Sequence, residues 1–371
     1  MPGNTATSHT KRLFSEENKS AIEALADAQA IAFAPYVFQN SILLRDWGIL
    51  KRIEQHKVSG LNLHELSESL PTLSLYALRV LLEGALGIGL LLRDEHKRYH
   101  LSKTGHFFLN DKMTIANTNF MRDVCLPGAQ DLGAALQSGT PSGLKHFGDW
   151  STIYEGLSKL PDSVQKSWFE FDHFYSDITF PIAHEYVFEG PNPPKRLLDI
   201  GSNTGKWALA CLSKNPDVHI GLVDLPGQLK MAIEKLQLAG IDPSRFSAYE
   251  HNILNPALPL PSGFDTIWMS QFLDCFSDAE IIMILEKCHQ ALPADGQVII
   301  NETFWDRQRF RASAFSLQMT SLYFTSMANG NSQMYDSDVF LDLVASSGFY
   351  CSEQRDHIGM GHTLLCLRKK D

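Results

Sequence analysis

The first half of the chain carries apolar residues at three- and four-residue spacing, which is the period of an amphipathic helix. This spacing predicts helical structure from Ser20 to about Gln55. The series that shows it comprises Leu25, Ala28, Ile31, Ala34, Phe38 and Ile42. Residues 112–190 have a similar pattern and are rich in aromatic side chains. Most of the first 190 residues are therefore expected to be helical.

Between these stretches the pattern changes to two short helices and a β-hairpin. Helices are predicted over His64–Ser69 and Leu75–Ala85, with a turn at Pro71 between them. Leu90–Arg93 and Arg98–Leu101 have the pattern of two strands joined by a charged turn. This order of elements is typical of a winged helix-turn-helix.

After a proline-rich break at Pro191–Lys195, apolar strands alternate with amphipathic helices. The alternation predicts a mostly parallel, Rossmann-like α/β sheet of seven strands with helices on both faces. The predicted strands contain RLLDIG, HIGLVDLP, FSAYEHNIL, FDTIWMSQFLD, GQVIINETF, YCSEQRD and HTLLCLRK. The expected segments are a disordered lead (1–18), a winged-helix domain (19–110), a helical linker with pocket helices (111–190) and the α/β domain (191–371).

Charge and composition argue against several function classes. The net charge is −10 without a run of Lys and Arg, which disfavours a nucleic-acid partner. The predicted recognition helix, Ser74–Glu83, offers only Arg79 as a cation, so a packing or dimerisation role is favoured over DNA binding. Apolar stretches break within about a dozen residues, too short to span a bilayer. Scattered cysteines without a CxxC pair indicate reduced thiols in a cytoplasmic protein and no metal site.

The first strand of the α/β half ends in a glycine loop. The stretch DIGSNTG, from Asp199 to Gly205, is followed at once by a predicted helix. Glycines let the backbone approach a ligand closely, and the helix N-terminus offers N–H donors to it. The loop is not a P-loop, because Trp207 follows Lys206 where Ser or Thr is required. It indicates a nucleotide-like ligand other than a nucleoside triphosphate.

An acidic residue ends the next strand, in the sequence VDLP. Asp224 lies about twenty residues beyond the glycine loop, a spacing at which a carboxylate accepts the ribose hydroxyls of a nucleoside. The alternative is that Asp224 caps the following helix. The preceding loop favours ribose binding.

These motifs together carry a resemblance to a known family. DIGSNTG and VDLP resemble motifs of class I S-adenosylmethionine (SAM)-dependent methyltransferases, and with a winged-helix dimerisation domain they are similar to plant-type O-methyltransferases and their bacterial relatives. The segments LRDWGILKRI, RYHLSKTG and FDHFYSD (Phe171–Asp177) extend the resemblance over about residues 25–368. It implies a homodimer that methylates a small phenolic or polyketide-like acceptor at oxygen or ring carbon and releases S-adenosylhomocysteine (SAH).

The resemblance also implies positions for both ligands. The methionine end of SAM would lie on the glycine loop, its ribose on Asp224 and its adenine on Asn252-Ile253, where the family usually has Asp. The implied cofactor residues are Asp199, Gly201, Ser202, Gly205, Asp224, Leu225, Asn252, Ile253, Met269, Ser270 and Ser176. The expected acceptor-pocket residues are Phe171, Phe174, Tyr175, Met319, Tyr323 and Gln333. For Met319 and Tyr323 the alternative is ordinary helix core.

The family's catalytic pattern is only partly kept. Asp274 stands where the family has its general-base His, and Cys275 stands in place of the adjoining Asp. Either Asp274 is the base with a pKa raised by apolar neighbours, or His173 reaches in, or the acceptor needs no strong base. Asp274 could instead cap the next helix. Glu302, after the fifth strand, matches the family's second acid and could orient the base or bind an acceptor hydroxyl.

Two other functions compete with methyl transfer. Because the family's general-base His is missing, the sequence is also compatible with a SAM-binding enzyme that no longer methylates. Such an enzyme would be a decarboxylase, hydroxylase or pericyclase on the same scaffold. A ligand-sensing DNA-binding regulator is the second alternative, against which the acidic charge argues.

Overall fold

The computed structural model describes residues 14–176, 178–190 and 193–370, without the side chain of Ser176. Its contacts divide the chain into a unit of residues 17–122 and a unit of residues 123–370 that also includes residues 14–16. Of the expected disordered lead, residues 1–13 lie outside the described residues. Each unit is taken by itself below.

The N-terminal unit is helical with one hairpin. Its helices are α1 (Ala21–Ala32), α2 (Ala34–Asp46), α3 (Ile49–Gln55), α4 (Leu63–Ser69), α5 (Leu75–Ile88), α6 (Lys103–Asn110) and α7 (Lys112–Phe120). Strands β1 (Leu91–Arg93) and β2 (Tyr99–Leu101) pair antiparallel. The two short helices and the hairpin occur where the sequence predicts them. A core of Leu, Ile, Ala and Tyr side chains fills the unit.

The helix predicted from Ser20 to about Gln55 is broken into three. Pro35 lies in the first turn of α2, where its missing N–H has no cost but where it cannot continue α1. Gly48, with φ +75°, separates α2 from α3. Helix α1 buries none of its residues, so its apolar positions face outward.

The second unit begins with helices and ends with the sheet. Its helices are α8 (Leu132–Ser138), α9 (Ile153–Gly156), α10 (Asp162–Ser176), α11 (Phe180–Phe188), α12 (Lys206–Lys214), α13 (Pro226–Leu238), α14 (Asp278–Ala291), α15 (Arg311–Tyr323) and α16 (Ser337–Ser346). Its strands are β3 (Arg196–Ile200), β4 (His219–Asp224), β5 (Phe246–Glu250), β6 (Thr266–Ser270), β7 (Gln297–Glu302), β8 (Phe349–Ile358) and β9 (His362–Lys369). Short 3₁₀ or π turns occur at 121–131, 144–146, 157–159, 243–245, 273–275, 305–307 and 324–328.

The seven strands form one sheet in the order β5-β4-β3-β6-β7-β9-β8. Strands β3 to β7 are parallel, and β9 pairs antiparallel with β7 and β8. Apolar clusters cover both faces, which explains why the strands have near-continuous apolar runs. The strand order reverses between β4 and β6, on either side of β3, so the loops after these strands meet at the ligand-binding edge. The predicted fold class is confirmed.

Among the described residues, no single helix has the length and apolarity needed to cross a membrane. The pair α1 and α2, bent by 75°, reaches the required length and composition only when the two helices are taken together.

Candidate active site

The glycine loop forms a tight turn between β3 and α12. Gly201 and Gly205 have φ values of +77° and +71°, and Asn203 between them has +49°. A methyl group at Gly201 would collide with the ring of Phe272, and one at Gly205 would lie 2.9 Å from Cβ of Ala232. Both glycines are therefore required by backbone conformation and by close packing.

Buried polar atoms around this loop have no hydrogen-bond partner among the described residues. They are Asp199 Oδ2, Ser202 Oγ, Asn203 Oδ1 and Thr204 Oγ1. Buried polar groups are normally paired, so an unpaired set at the carboxyl ends of parallel strands indicates a polar ligand. Burial, and then the charge of Asp224, raises the pKa of Asp199 well above its usual value. The side-chain oxygens of this cradle fit the methionine end of SAM, because its amino group can donate to them and its carboxylate can accept from the hydroxyls of Ser202 and Thr204.

Asp224 is fixed by backbone donors on both sides. Its Oδ2 accepts the N–H of Asn203 at 2.7 Å, and its Oδ1 accepts the N–H of Leu225 at 2.7 Å. Leu225, not Asp224, occupies the N-cap position of α13, and no side chain caps that helix end. The capping alternative for Asp224 is therefore wrong. Each carboxylate oxygen keeps an acceptor position, as a ribose diol requires.

The other implied cofactor residues differ in how open they are. Asn252 is exposed, and its Oδ1 accepts the N–H of Leu254 at 3.0 Å. Ile253 and Met269 are buried in the main apolar cluster. The Ser270 hydroxyl accepts the Nδ2–H of Asn301 at 2.9 Å. The side chain of Ser176 and residue 177 lie outside the described residues.

Asp274 lies in the loop after β6 and is 5% exposed. The Cys275 thiol donates to its Oδ1 at 3.4 Å, and burial raises the pKa of Asp274 to about 6. Helix α14 is capped instead by Ser277, which forms a capping box with Glu280. The helix-cap alternative for Asp274 is therefore wrong as well.

Glu302, at the end of β7, supports the same loop. Its Oε1 accepts the N–H of Phe272 at 2.8 Å and the N–H of Leu273 at 2.9 Å. Burial, followed by the charge of Asp274, raises the pKa of Glu302 well above its usual range, while these backbone donors lower it. Glu302 thus holds the segment that presents Asp274.

The expected acceptor wall on α10 is a group of partly buried rings. Tyr175 contacts Phe171 and Phe174, with ring centroids 5.2 Å and 5.4 Å apart. His173 stacks on Phe169, and its Nδ1 lies 3.7 Å from Asp172 Oδ2.

The three other predicted pocket positions differ from one another in exposure. Tyr323 is buried, and its hydroxyl accepts the Nε1–H of Trp168 at 2.8 Å. Met319 is 40% exposed, so the structure does not make it ordinary helix core. Gln333 is exposed and its neighbour Met334 is buried.

Sequence reasoning missed several polar residues near the site. The buried hydroxyl of Tyr154 lies beside the Cys275 thiol, and burial, followed by the charge of Cys275, raises the pKa of Tyr154 well above its usual value. Gln271 has φ +45° and a buried Oε1 that finds no partner within the part of the chain that the structure describes. Tyr154 belongs to the aromatic-rich stretch of residues 112–190 and Gln271 belongs to no sequence motif, so only the fold shows where their polar atoms lie. His362, the first residue of β9, is fully buried, and burial lowers its pKa to about 3.

Comparisons with known proteins match both halves of the chain. Residues 26–99 match the Dimerisation2-like domain, and residues 187–350 match the O-methyltransferase domain. Together these ranges cover more than half of the chain.

Curated relatives and a solved structure agree with these matches. L-tyrosine C(3)-methyltransferase of Streptomyces lavendulae is 24% identical over 73% of this chain and 72% of its own length. The 3-hydroxy-5-methyl-1-naphthoate 3-O-methyltransferase of Streptomyces sahachiroi is 28% identical over 43% of this chain and 44% of its own. The apo structure of the SAM-dependent methyltransferase SibL has a TM-score of 0.69 at 20% identity, covering 94% of this chain and all of that one. This chain belongs to the SAM-dependent methyltransferase family that joins an O-methyltransferase domain to an N-terminal dimerisation domain.

Proposed function

We propose that the chain transfers a methyl group from SAM to a small aromatic acceptor, phenolic or polyketide-like, at oxygen or at a ring carbon. The observation that carries this proposal is the arrangement of Asp224 beside the glycine loop and its unpaired buried polar atoms. The names of the relatives, which specify a tyrosine ring carbon and a naphthoate hydroxyl, support an aromatic acceptor. They give no support to a decarboxylase, hydroxylase or pericyclase.

The cofactor site comprises the loop from Asp199 to Gly205, Asp224 and the segment Asn252-Ile253. When bound there, SAM supplies an electrophilic methyl group on a sulfonium. The loop would hold the methionine end through backbone N–H groups and Ser202, and Asp224 would accept both ribose hydroxyls. Residues 191–371 form the cofactor domain in this proposal, and residues 111–190 supply the acceptor-pocket helices.

Asp274 is the proposed general base. A carboxylate with a pKa of about 6 is charged at neutral pH and still basic enough to take a proton from an acceptor hydroxyl. Glu302 is a positioning residue, because it holds the backbone on which Asp274 sits. Methyl transfer to a hydroxyl then breaks the S–CH₃ bond, forms an O–CH₃ bond and leaves the acceptor proton on Asp274. His173, which stacks on Phe169, is the alternative base.

An acceptor screen tests the proposed reaction. With methyl-labelled SAM, purified protein should transfer label to at least one member of a panel of hydroxynaphthoates, simple phenols and L-tyrosine, with one SAH formed per labelled product. Boiled enzyme and omission of acceptor serve as controls. Binding of SAH without SAH formation from SAM on any phenolic acceptor would contradict methyl transfer and leave cofactor binding intact.

We also propose a cytoplasmic homodimer that associates through residues 19–110, with no nucleic-acid or membrane partner. The support for the dimer is helix α1, in which no residue is buried. Its apolar side chains Ile22, Leu25 and Ile31 are 81%, 62% and 76% exposed. Such an apolar face is costly in water and gains stability when a partner covers it. For the compartment, the support is that all six cysteines are free thiols.

Charge on that face is expected to separate the subunits. Light scattering after gel filtration should give twice the chain mass for the wild type. The triple variant Ile22→Glu, Leu25→Glu, Ile31→Glu should give the mass of one chain. Gln29→Glu, an exposed polar position on the same helix, is the matched control and should remain dimeric. A dimeric triple variant would remove α1 from the interface.

A further inference from the structure

Asn203 connects the cofactor loop to the aromatic helix α10. Its backbone N–H donates to Asp224 Oδ2 at 2.7 Å, and its side-chain Nδ2–H donates to Asp172 Oδ2 at 3.0 Å. Asn203 therefore binds Asp224, the proposed ribose-binding residue, through its main chain, and it binds Asp172 of α10 through its side chain. Asn203 is 31 residues from Asp172 and 21 residues from Asp224 in the sequence, so only the fold brings the three residues together.

The conformation of Asn203 explains why this residue type occupies the position. Its φ of +49° lies in the left-handed region, which Gly adopts freely and which Asn tolerates better than most residues. Glycine would satisfy the backbone here but would offer no side-chain donor. Asparagine meets both requirements, the turn and the bond to Asp172.

Asp172 stands among the side chains expected to line the acceptor pocket. It lies one residue from Phe171 and two from Phe174 on α10, and its carboxylate is partly buried. A hydrogen bond to a partly desolvated carboxylate is stronger than one between neutral groups. The position of this end of α10 is therefore energetically linked to the geometry of the loop.

We propose that Asn203 and Asp172 are positioning residues that couple cofactor occupancy to the order of the C-terminal part of α10. A ligand held by Asp224 and the loop stabilises the turn at Asn203, and the Asn203–Asp172 bond passes that stabilisation to the helix. Coupling of binding free energies is reciprocal, so an acceptor that orders α10 tightens the cofactor. This inference rests on the proposed function, because it requires that the loop binds SAM or SAH.

Hydrogen–deuterium exchange with SAH as the probe tests the coupling. In the wild type, saturating SAH should slow exchange of amides in residues 169–176 at least about fivefold, the low end of typical coupling. Asn203→Gly keeps the left-handed backbone and the N–H to Asp224 but removes the donor to Asp172. It should bind SAH more weakly than the wild type, because Asn203 Oδ1 is lost from the cofactor cradle. At saturating SAH, however, residues 169–176 should no longer be protected.

Two further variants complete the design. Asp172→Ala should lose the same protection, and adding it to Asn203→Gly should change nothing more, as expected for two partners in one bond. Glu170→Ala removes a carboxylate from the same helix, one that pairs with Lys166 at the surface at 3.7 Å, and should keep the full effect. Wild-type protection retained in Asn203→Gly, or absent from a wild type that binds SAH, would overturn the coupling alone. Failure of the wild type to bind SAH would overturn the proposed function as well.

Discussion

Replacing Asp224 with alanine is expected to weaken SAH binding by at least about a hundredfold, because two hydrogen bonds from a ribose diol to a carboxylate contribute about 1.5–3 kcal/mol each. The substitution also removes the acceptor that holds the N–H of Asn203, so the glycine loop loses one of its anchors. Isothermal titration calorimetry measures the change directly. Asp224→Asn, which keeps one acceptor oxygen, should fall between the alanine variant and the wild type.

A matched control shows that the effect belongs to the site. Asp217 lies just before β4, the strand that Asp224 ends, and its side chain is exposed. Asp217→Ala removes the same charge from the opposite end of the strand and should bind SAH like the wild type. Equal binding by Asp224→Ala and the wild type would show that the ribose lies elsewhere.

SAH affinity should also depend on pH through Asp224. Burial raises the pKa of this carboxyl to about 6. Above that value Asp224 is an anion that accepts from both hydroxyls, and below it one oxygen carries a proton. Affinity should therefore be constant above about pH 7 and fall as the pH decreases through 6, and the decrease should be absent from Asp224→Asn.

Replacing Asp274 with asparagine is expected to lower kcat by about 10²–10⁴, the usual contribution of a general base. SAH binding should change little, because Asp274 lies on the acceptor side in the proposed arrangement. In the wild type, kcat/KM should rise as the pH increases through about 6 and reach a plateau above about pH 7, since the base must be deprotonated. Asp274→Asn should lack this inflection. These kinetic measurements use the acceptor that the panel of hydroxynaphthoates, phenols and L-tyrosine shows to be methylated fastest.

A control variant and His173→Ala test whether Asp274 or His173 is the general base. Asp295→Asn alters an exposed carboxylate just before β7 and should leave kcat and its pH profile unchanged. His173→Ala should affect KM for the acceptor more than kcat. A large loss of kcat in His173→Ala with little change in Asp274→Asn would make His173 the base. Unchanged turnover in both variants would mean that the acceptor needs no base.

The fold was predictable because its sequence signals are local. Each of these signals lies within a few residues. They are the near-continuous apolar strands, the glycine loop at the end of β3 and the acidic residue at the end of β4. The N-terminal hairpin is predicted equally well for the same reason. Helix length was less predictable, since Pro35 ends the α1 pattern although the apolar period continues across it.

The candidate site was only partly predictable because much of it depends on distant contacts. Asp224 and Glu302 end strands and Asp274 follows one, so all three could be chosen from the sequence. The roles of Asn203, Gln271 and Tyr154 depend on left-handed turns and buried hydroxyls that no local pattern marks. The exposures of Met319 and Gln333 likewise depend on tertiary packing, which the sequence around these residues does not specify.

A structure of the protein crystallised with SAH tests the central claim most directly. The account predicts SAH across the carboxyl ends of β3 and β4, with both ribose hydroxyls within hydrogen-bond distance of Asp224 and the amino acid end against the loop from Asp199 to Gly205. The sulfur should face the side of the site where Asp274 lies. SAH bound away from Asp224, or with its sulfur facing away from Asp274, would contradict the account.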